Sequence, residues 1–121
     1  MTDAIDPHAT DTRPPIDEQW LERMRSTKPE FLARLFEVFL AEEPQRIARL
    51  GEVATKGDLK QTHYLAHSLK GAAATLGMER LRDACRELER ASKDGETGRL
   101  PGLFAMVRRE VEAVFAMIQD L

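Results

Sequence analysis

Residues 58–77 read DLKQTHYLAHSLKGAAATLG, and their periodicity decides the fold. Leu59, Thr62, Ala66, Leu69, Ala73 and Leu76 recur at three- and four-residue steps, the spacing of one face of an α-helix. Asp58 opens the run as a residue whose carboxylate caps free N–H groups, and Gly77 closes it as a C-terminal cap.

The pattern repeats on both sides. Upstream, a helix starting at Pro29 carries Phe31, Leu32, Leu35, Phe36, Val38 and Phe39 as a wide apolar stripe, continued by Ile47 and Leu50. Pro44 falls inside this run and is expected to kink or divide the helix. A shorter helix capped by Asp17, with Ile16 as its staple, holds Trp20, Leu21 and Met24. Downstream, Met78 to Ser92 presents Leu81, Ala84, Cys85, Leu88 and Ser92 on one stripe. Asp94-Gly95 and Gly98 through Gly102 are expected to form a loop, before a last helix that carries Leu103, Phe104, Val107, Val111, Val114, Ile118 and Leu121. No strand pattern or repeat appears. Short connections between amphipathic helices predict an all-α, up-and-down antiparallel bundle.

Composition agrees. The 121 residues carry 42% hydrophobic and 32% charged side chains, a mixture that folds, and 6% aromatics, too few for a typical sandwich or barrel. The net charge of −3 offers no footprint for nucleic acid. No apolar run approaches the roughly 20 residues that span a bilayer, so no membrane association is expected. The first stretch, MTDAIDPHATDTRPP, is acidic without an apolar core, so no secretory signal is expected; residues 1–15 read as a disordered tail, His8 with them. One cysteine excludes an internal disulfide and suits a reducing cytoplasm.

Opposite the core stripe of the central helix stand His63, His67, Lys70, Gly71 and Ala74. Gly71 in mid-helix costs about 1 kcal/mol relative to Ala, and it strips the surface one turn beyond His67. Lys70 places an ammonium beside the same imidazole. A neutral imidazole is a nucleophile, a nearby ammonium favours an anion attached to it, and a glycine lets a bulky partner approach. That combination suits a surface histidine that carries a phosphoryl group and offers it to another protein. If the helices fold back at Gly77-Met78, His67 and Glu89 are equidistant from position 78 and lie at one height. Glu89 is then expected to accept from one ring N–H of His67 and leave the other nitrogen free.

The run from His67 to Gly77, HSLKGAAATLG, resembles the signature of histidine-containing phosphotransfer (HPt) domains: His-x-x-Lys-Gly, small residues, then Gly ten positions after the His. Ala66, Cys85 and Leu88-Glu89 match common choices of that family, and the resemblance spans residues 16–121. It implies a four-helix bundle with an additional short N-terminal helix, acting in a two-component multistep phosphorelay. His67 would be the phosphorylated residue, Lys70 would stabilise the phosphoryl group, and Gly71 would admit a receiver domain. Glu89 would hold the histidine, as in the related N-terminal domain of chemotaxis kinases. The implied partners are receiver domains of a response regulator or hybrid sensor histidine kinase, with magnesium on the receiver only and no cofactor on this chain. A monomer is expected, with no kinase activity of its own, since no nucleotide-binding motif is present. Two other classes stay open: the phosphoacceptor domain of a larger chemotaxis-type or hybrid histidine kinase, and a non-catalytic helical-bundle adaptor.

Around the site, His63 is read as lining the docking face. The His63/His67 pair has zinc-binding spacing, but no third ligand is evident, and no metal site is expected. Tyr64 and Ser68 suit either partner contact or a solvated surface. Cys85 and the methionines read as core.

Overall fold

A computed structural model describes residues 11–121. Its helices are α1 (Glu18–Thr27), α2 (Pro29–Thr55), α3 (Leu59–Thr75), α4 (Glu79–Lys93) and α5 (Leu100–Gln119), with one 3₁₀ turn at Thr97–Arg99. No strand occurs among the described residues. α3 packs on α4, α4 on α5, α5 on α2 and α2 on α3, which closes a four-helix bundle; α1 leans on α2. No helix among the described residues is long and apolar enough to cross a membrane.

The expected caps are in place. Asp17 and Asp58 accept from the backbone N–H groups of Gln19 and Gln61 at the starts of α1 and α3. Gly77 takes a left-handed φ of 69°, which lets the Met78 N–H reach back to the Ala73 carbonyl and ends α3. A side chain there would also press on Trp20, whose ring lies 3.0 Å from where a Cβ would stand. The Gly77 carbonyl accepts from the Asp17 N–H, so the α3–α4 turn is clamped by the start of α1. This turn sets the register of α3 against α4, and so the heights of their side chains.

The core runs from Ile16 and Leu21 through Phe36, Phe39, Leu50, Leu69, Leu81 and Leu88 to Val107 and Val114, all buried. Phe39 and Phe115 meet edge to face at 5.7 Å, joining α2 to α5.

Several local expectations change. Pro44 does not divide α2, which continues through it with Pro44 on its exposed face. Phe31 and Val38 are 52% and 40% exposed rather than buried, because the stripe on α2 is wider than α1, α3 and α5 together cover. The expected loop ends early: α5 begins at Leu100, with Pro101 in the first turn, where a missing N–H costs nothing. Leu121, expected on the last helix, lies beyond the end of α5 and is exposed.

Of the expected 1–15 tail, residues 1–10, including His8, lie outside the described residues. Residues 11–15 are anchored to α4. The Arg13 guanidinium bridges Asp11 at 2.7 Å and Asp83 at 3.0 Å, and Arg80 donates to the Arg13 carbonyl at 2.9 Å. The Arg13 hydrogen bonds hold the Asp11 carboxyl well below the usual carboxylate range.

Candidate functional site

α3 brings His67, Lys70 and Gly71 to one side, and the α3–α4 turn sets Glu89 of α4 facing them. The Nδ1–H of His67 donates to Glu89 Oε2 at 2.7 Å, and Lys70 Nζ lies 2.6 Å from Oε1. Each carboxylate oxygen thus has its own cationic or polar donor. The pairing expected from the hairpin register is met.

Glu89 has a side chain only 15% exposed, whereas that of His67 is 63% exposed. Burial alone would raise the carboxyl of Glu89. The hydrogen bonds from Lys70 and His67, and the Lys70 charge, outweigh it and leave Glu89 below its ordinary value. Glu89 is therefore an ionised acceptor, which places the proton of a neutral His67 on Nδ1 and leaves the Nε2 lone pair free.

Gly71 is exposed, and a Cβ built there would meet nothing within 4 Å. No packing inside this chain requires glycine at that position. The bare backbone one turn after His67 is space open to an approaching body, with the Gly71 carbonyl also accepting from Thr75 Oγ1.

His63 stands one turn before His67 with its ring parallel to it, 6.3 Å between centroids. Its Nε2 is 3.7 Å from Glu89 Oε2, beyond a hydrogen bond, so it flanks the pair without joining it. Tyr64 (65% exposed), Ser68 and Ala74 lie on the open surface around the histidine. Cys85 is buried on the inner face of α4, and burial pushes its thiol far up, so it stays a neutral core group. Among the described residues no three His, Cys, Asp or Glu side chains are grouped to hold a metal ion.

Arg86, Arg90 and Lys93 also line the groove beside Glu89, with His63 and Lys70. Sequence reasoning missed them. Their three- and four-residue spacing on α4 was the available signal, but a periodic row of cations reads as a solvated face until the neighbouring helix is placed.

The chain as a whole is similar to known proteins. The Hpt domain family matches residues 34–117. The phosphorelay intermediate protein rdeA of Dictyostelium discoideum is 24% identical over 105 residues, or 87% of this chain. The chain spans 41% of the length of that relative. The crystal structure of histidine-containing phosphotransfer protein B (HptB) from Pseudomonas aeruginosa PAO1 superposes with a TM-score of 0.79 at 27% identity. That match covers 88% of this chain and 93% of the other.

Proposed function

The chain belongs to the Hpt domain family, and from that premise we propose that it relays phosphate in a two-component multistep phosphorelay, carrying the phosphoryl group on His67. The observation that carries this reading is an exposed imidazole whose Nδ1 is held at 2.7 Å by an ionised, largely buried carboxylate.

The partner is a receiver domain bearing a phospho-aspartate. The Nε2 lone pair of His67 attacks phosphorus in line; the N–P bond forms as the acyl-phosphate P–O bond breaks and returns the aspartate as a free carboxylate. The ring keeps its Nδ1 proton and gains positive charge, which the Glu89 carboxylate balances. Lys70, at Glu89 Oε1 and one turn from His67, is the cation at hand for the phosphoryl oxygens. The reverse sequence on a second receiver completes the relay. Magnesium is assigned to the receiver. No cofactor is assigned to this chain, which receives phosphoryl groups rather than making them from ATP. The phospho-aspartates of such relays originate from ATP, so the reading carries a cytoplasmic location with it. A bundle that closes its own core supports a monomer.

The test is incubation with a labelled phospho-receiver. Acid-labile, alkali-stable label is expected on this protein and not on His67→Gln. Equal labelling of His67→Gln would remove His67 from the role. ATP-dependent labelling by a kinase, without transfer from any receiver, would indicate instead a kinase's phosphoacceptor domain.

A further inference from the structure

Two grooves run together along the seam of α3 and α4. One, of about 230 Å³, is lined by His63, Lys70, Arg86, Glu89, Arg90 and Lys93. The other, of about 520 Å³, is lined by Leu59, Lys60, His63, Ser92 and Lys93. His63 and Lys93 belong to both, so the space is one trough leading away from the phosphoacceptor site. Its walls hold five cationic side chains (Lys60, Lys70, Arg86, Arg90, Lys93) against a single carboxylate, Glu89. Both oxygens of that carboxylate are already engaged by His67 and Lys70. The whole chain, by contrast, carries a net −3.

The fold does not consume these charges. Among the described residues Lys60, Arg90 and Lys93 form no ion pair, and Arg86 has only a 3.9 Å contact with Asp83. Local helix electrostatics accounts for part of the set, since Arg90 and Lys93 occupy the last turn of α4, where cations are favoured. It does not account for Lys60, which stands in the first turn of α3, at the end where a cation is disfavoured, nor for Arg86 in mid-helix. The other flank of α3 differs. The groove it shares with α2 is walled by Leu35, Val38, Phe39, Ala72 and Leu76, and its charges balance, with Arg34 and Arg46 against Glu42 and Glu43. Positive potential is thus concentrated on the α4 side of the histidine.

We infer that this trough is the docking site for an acidic edge of the receiver domain that exchanges phosphate with His67. It orients that receiver over the α4 flank and selects among receivers by charge. The inference rests on the relay reading above and names the chemistry of the partner surface that reading requires. An anionic edge relieves the mutual repulsion of the cations, and the field of the trough raises the encounter rate with such a surface.

The test is the double substitution Arg90→Glu, Lys93→Glu, at two residues outside the phosphoryl-transfer machinery. Transfer from a phospho-receiver is followed as kcat/KM from about 20 to about 300 mM salt, a range over which screening becomes strong. For the unaltered protein kcat/KM is expected to fall as salt rises. The double variant is expected to lose about 10- to 100-fold at low salt and to show a flattened salt dependence. Labelling of His67 by phosphoramidate, a donor too small to reach along the trough, is expected to be equal in both proteins. Should the double variant fail to fold, Arg90→Gln, Lys93→Gln is expected to show a smaller loss in the same direction. Equal kcat/KM and salt dependence in variant and unaltered protein would overturn the inference while leaving the relay reading intact. No transfer from any receiver, with phosphoramidate labelling intact, would overturn the relay reading and the inference with it. Saturable pyrophosphate binding that the variant loses, with receiver transfer unchanged, would assign the trough to a small anion and overturn docking.

Discussion

Two glutamates sit on opposite flanks of α3, and the bundle treats them in opposite ways. Glu89 on α4 and Glu43 on α2 both have side chains largely withdrawn from water, 15% and 4% exposed. Glu89 has a donor for each oxygen and is held below its ordinary value. Glu43 borders the apolar α2–α3 groove, with Arg46 3.3 Å from one oxygen and no hydrogen-bond partner for the other. Burial, the dominant influence, pushes Glu43 up; Arg46 pulls it back and Glu42 adds to the rise. Depth of burial alone does not decide the state of a carboxylate. The number and reach of its donors do. One glutamate is an instrument of the site, and the other is a cost the fold carries.

The sharpest way to break this contrast is to remove the carboxylate that has partners. Glu89→Ala leaves Nδ1 of His67 without its acceptor and Lys70 without its anchor. Transfer from a phospho-receiver is expected to fall about 100-fold, measured by rapid quench. The thermal midpoint is expected to move by only a few degrees, since the partners left behind, His67 and Lys70, both reach water and ion pairs with an exposed member contribute about 0–1 kcal/mol. Undiminished transfer would show that Glu89 neither orients nor balances the imidazole.

Gly71 separates the needs of the site from those of the fold on the same flank. With nothing within 4 Å of a Cβ, Gly71→Ala is expected to stabilise the protein by up to about 1 kcal/mol, read by urea unfolding. Gly71→Phe is expected to leave phosphoramidate labelling of His67 unchanged and to slow transfer from a receiver about tenfold, because the obstruction lies only in the path of a large partner. Equal transfer by Gly71→Phe and the unaltered protein would mean that receivers approach from another side.

The two flanks also differed in how far the sequence disclosed them. On the α4 flank, His67, Lys70 and Gly71 share one helical face, and Glu89 followed because a single left-handed glycine ends α3 and fixes the hairpin register. Local rules carried that inference whole. The α2 flank resisted them. Phe31 and Val38 belong to the apolar stripe by spacing yet are exposed, since what covers a stripe depends on neighbours that periodicity does not name. Pro44 reads as a residue that kinks or divides a helix, but α2 is not divided there, since an exposed proline is tolerated inside a 27-residue helix. The cationic row of α4 needed the position of Lys60 and His63 on α3 before it became one wall of a trough.

Glu43→Gln tests the other side of the contrast. A glutamine keeps the shape, loses the buried charge and gives up the ion pair with Arg46, which offsets part of the gain. A net stabilisation of about 0.5–1 kcal/mol at pH 7 is expected from urea unfolding, with transfer unchanged. The sign follows from linkage. Glu43 has a folded pKa raised above its unfolded value, so its penalty is present above the folded pKa and absent below the unfolded one. The advantage of Glu43→Gln should therefore shrink as the pH falls into the carboxylate range. An advantage that persists in acid would trace the gain to packing instead of charge.

The smallest expected effect is the mirror image of that one. Glu89 has a folded pKa below its unfolded value, so its contribution to stability is present above the unfolded value and is lost as the pH falls through the folded one. Glu89→Gln, which retains an acceptor for the His67 N–H but not the charge, is expected to be less stable than the unaltered protein by under about 1 kcal/mol at pH 7. Urea unfolding in steps from neutral pH down past the ordinary carboxylate range should show that deficit closing, while the advantage of Glu43→Gln closes from the opposite side. Two curves converging on the unaltered protein from above and below would tie both effects to ionisation. If the Glu89→Gln deficit stayed constant with pH, the Lys70–Glu89–His67 contacts would be acting as packing, and the carboxylate's charge would matter to transfer alone.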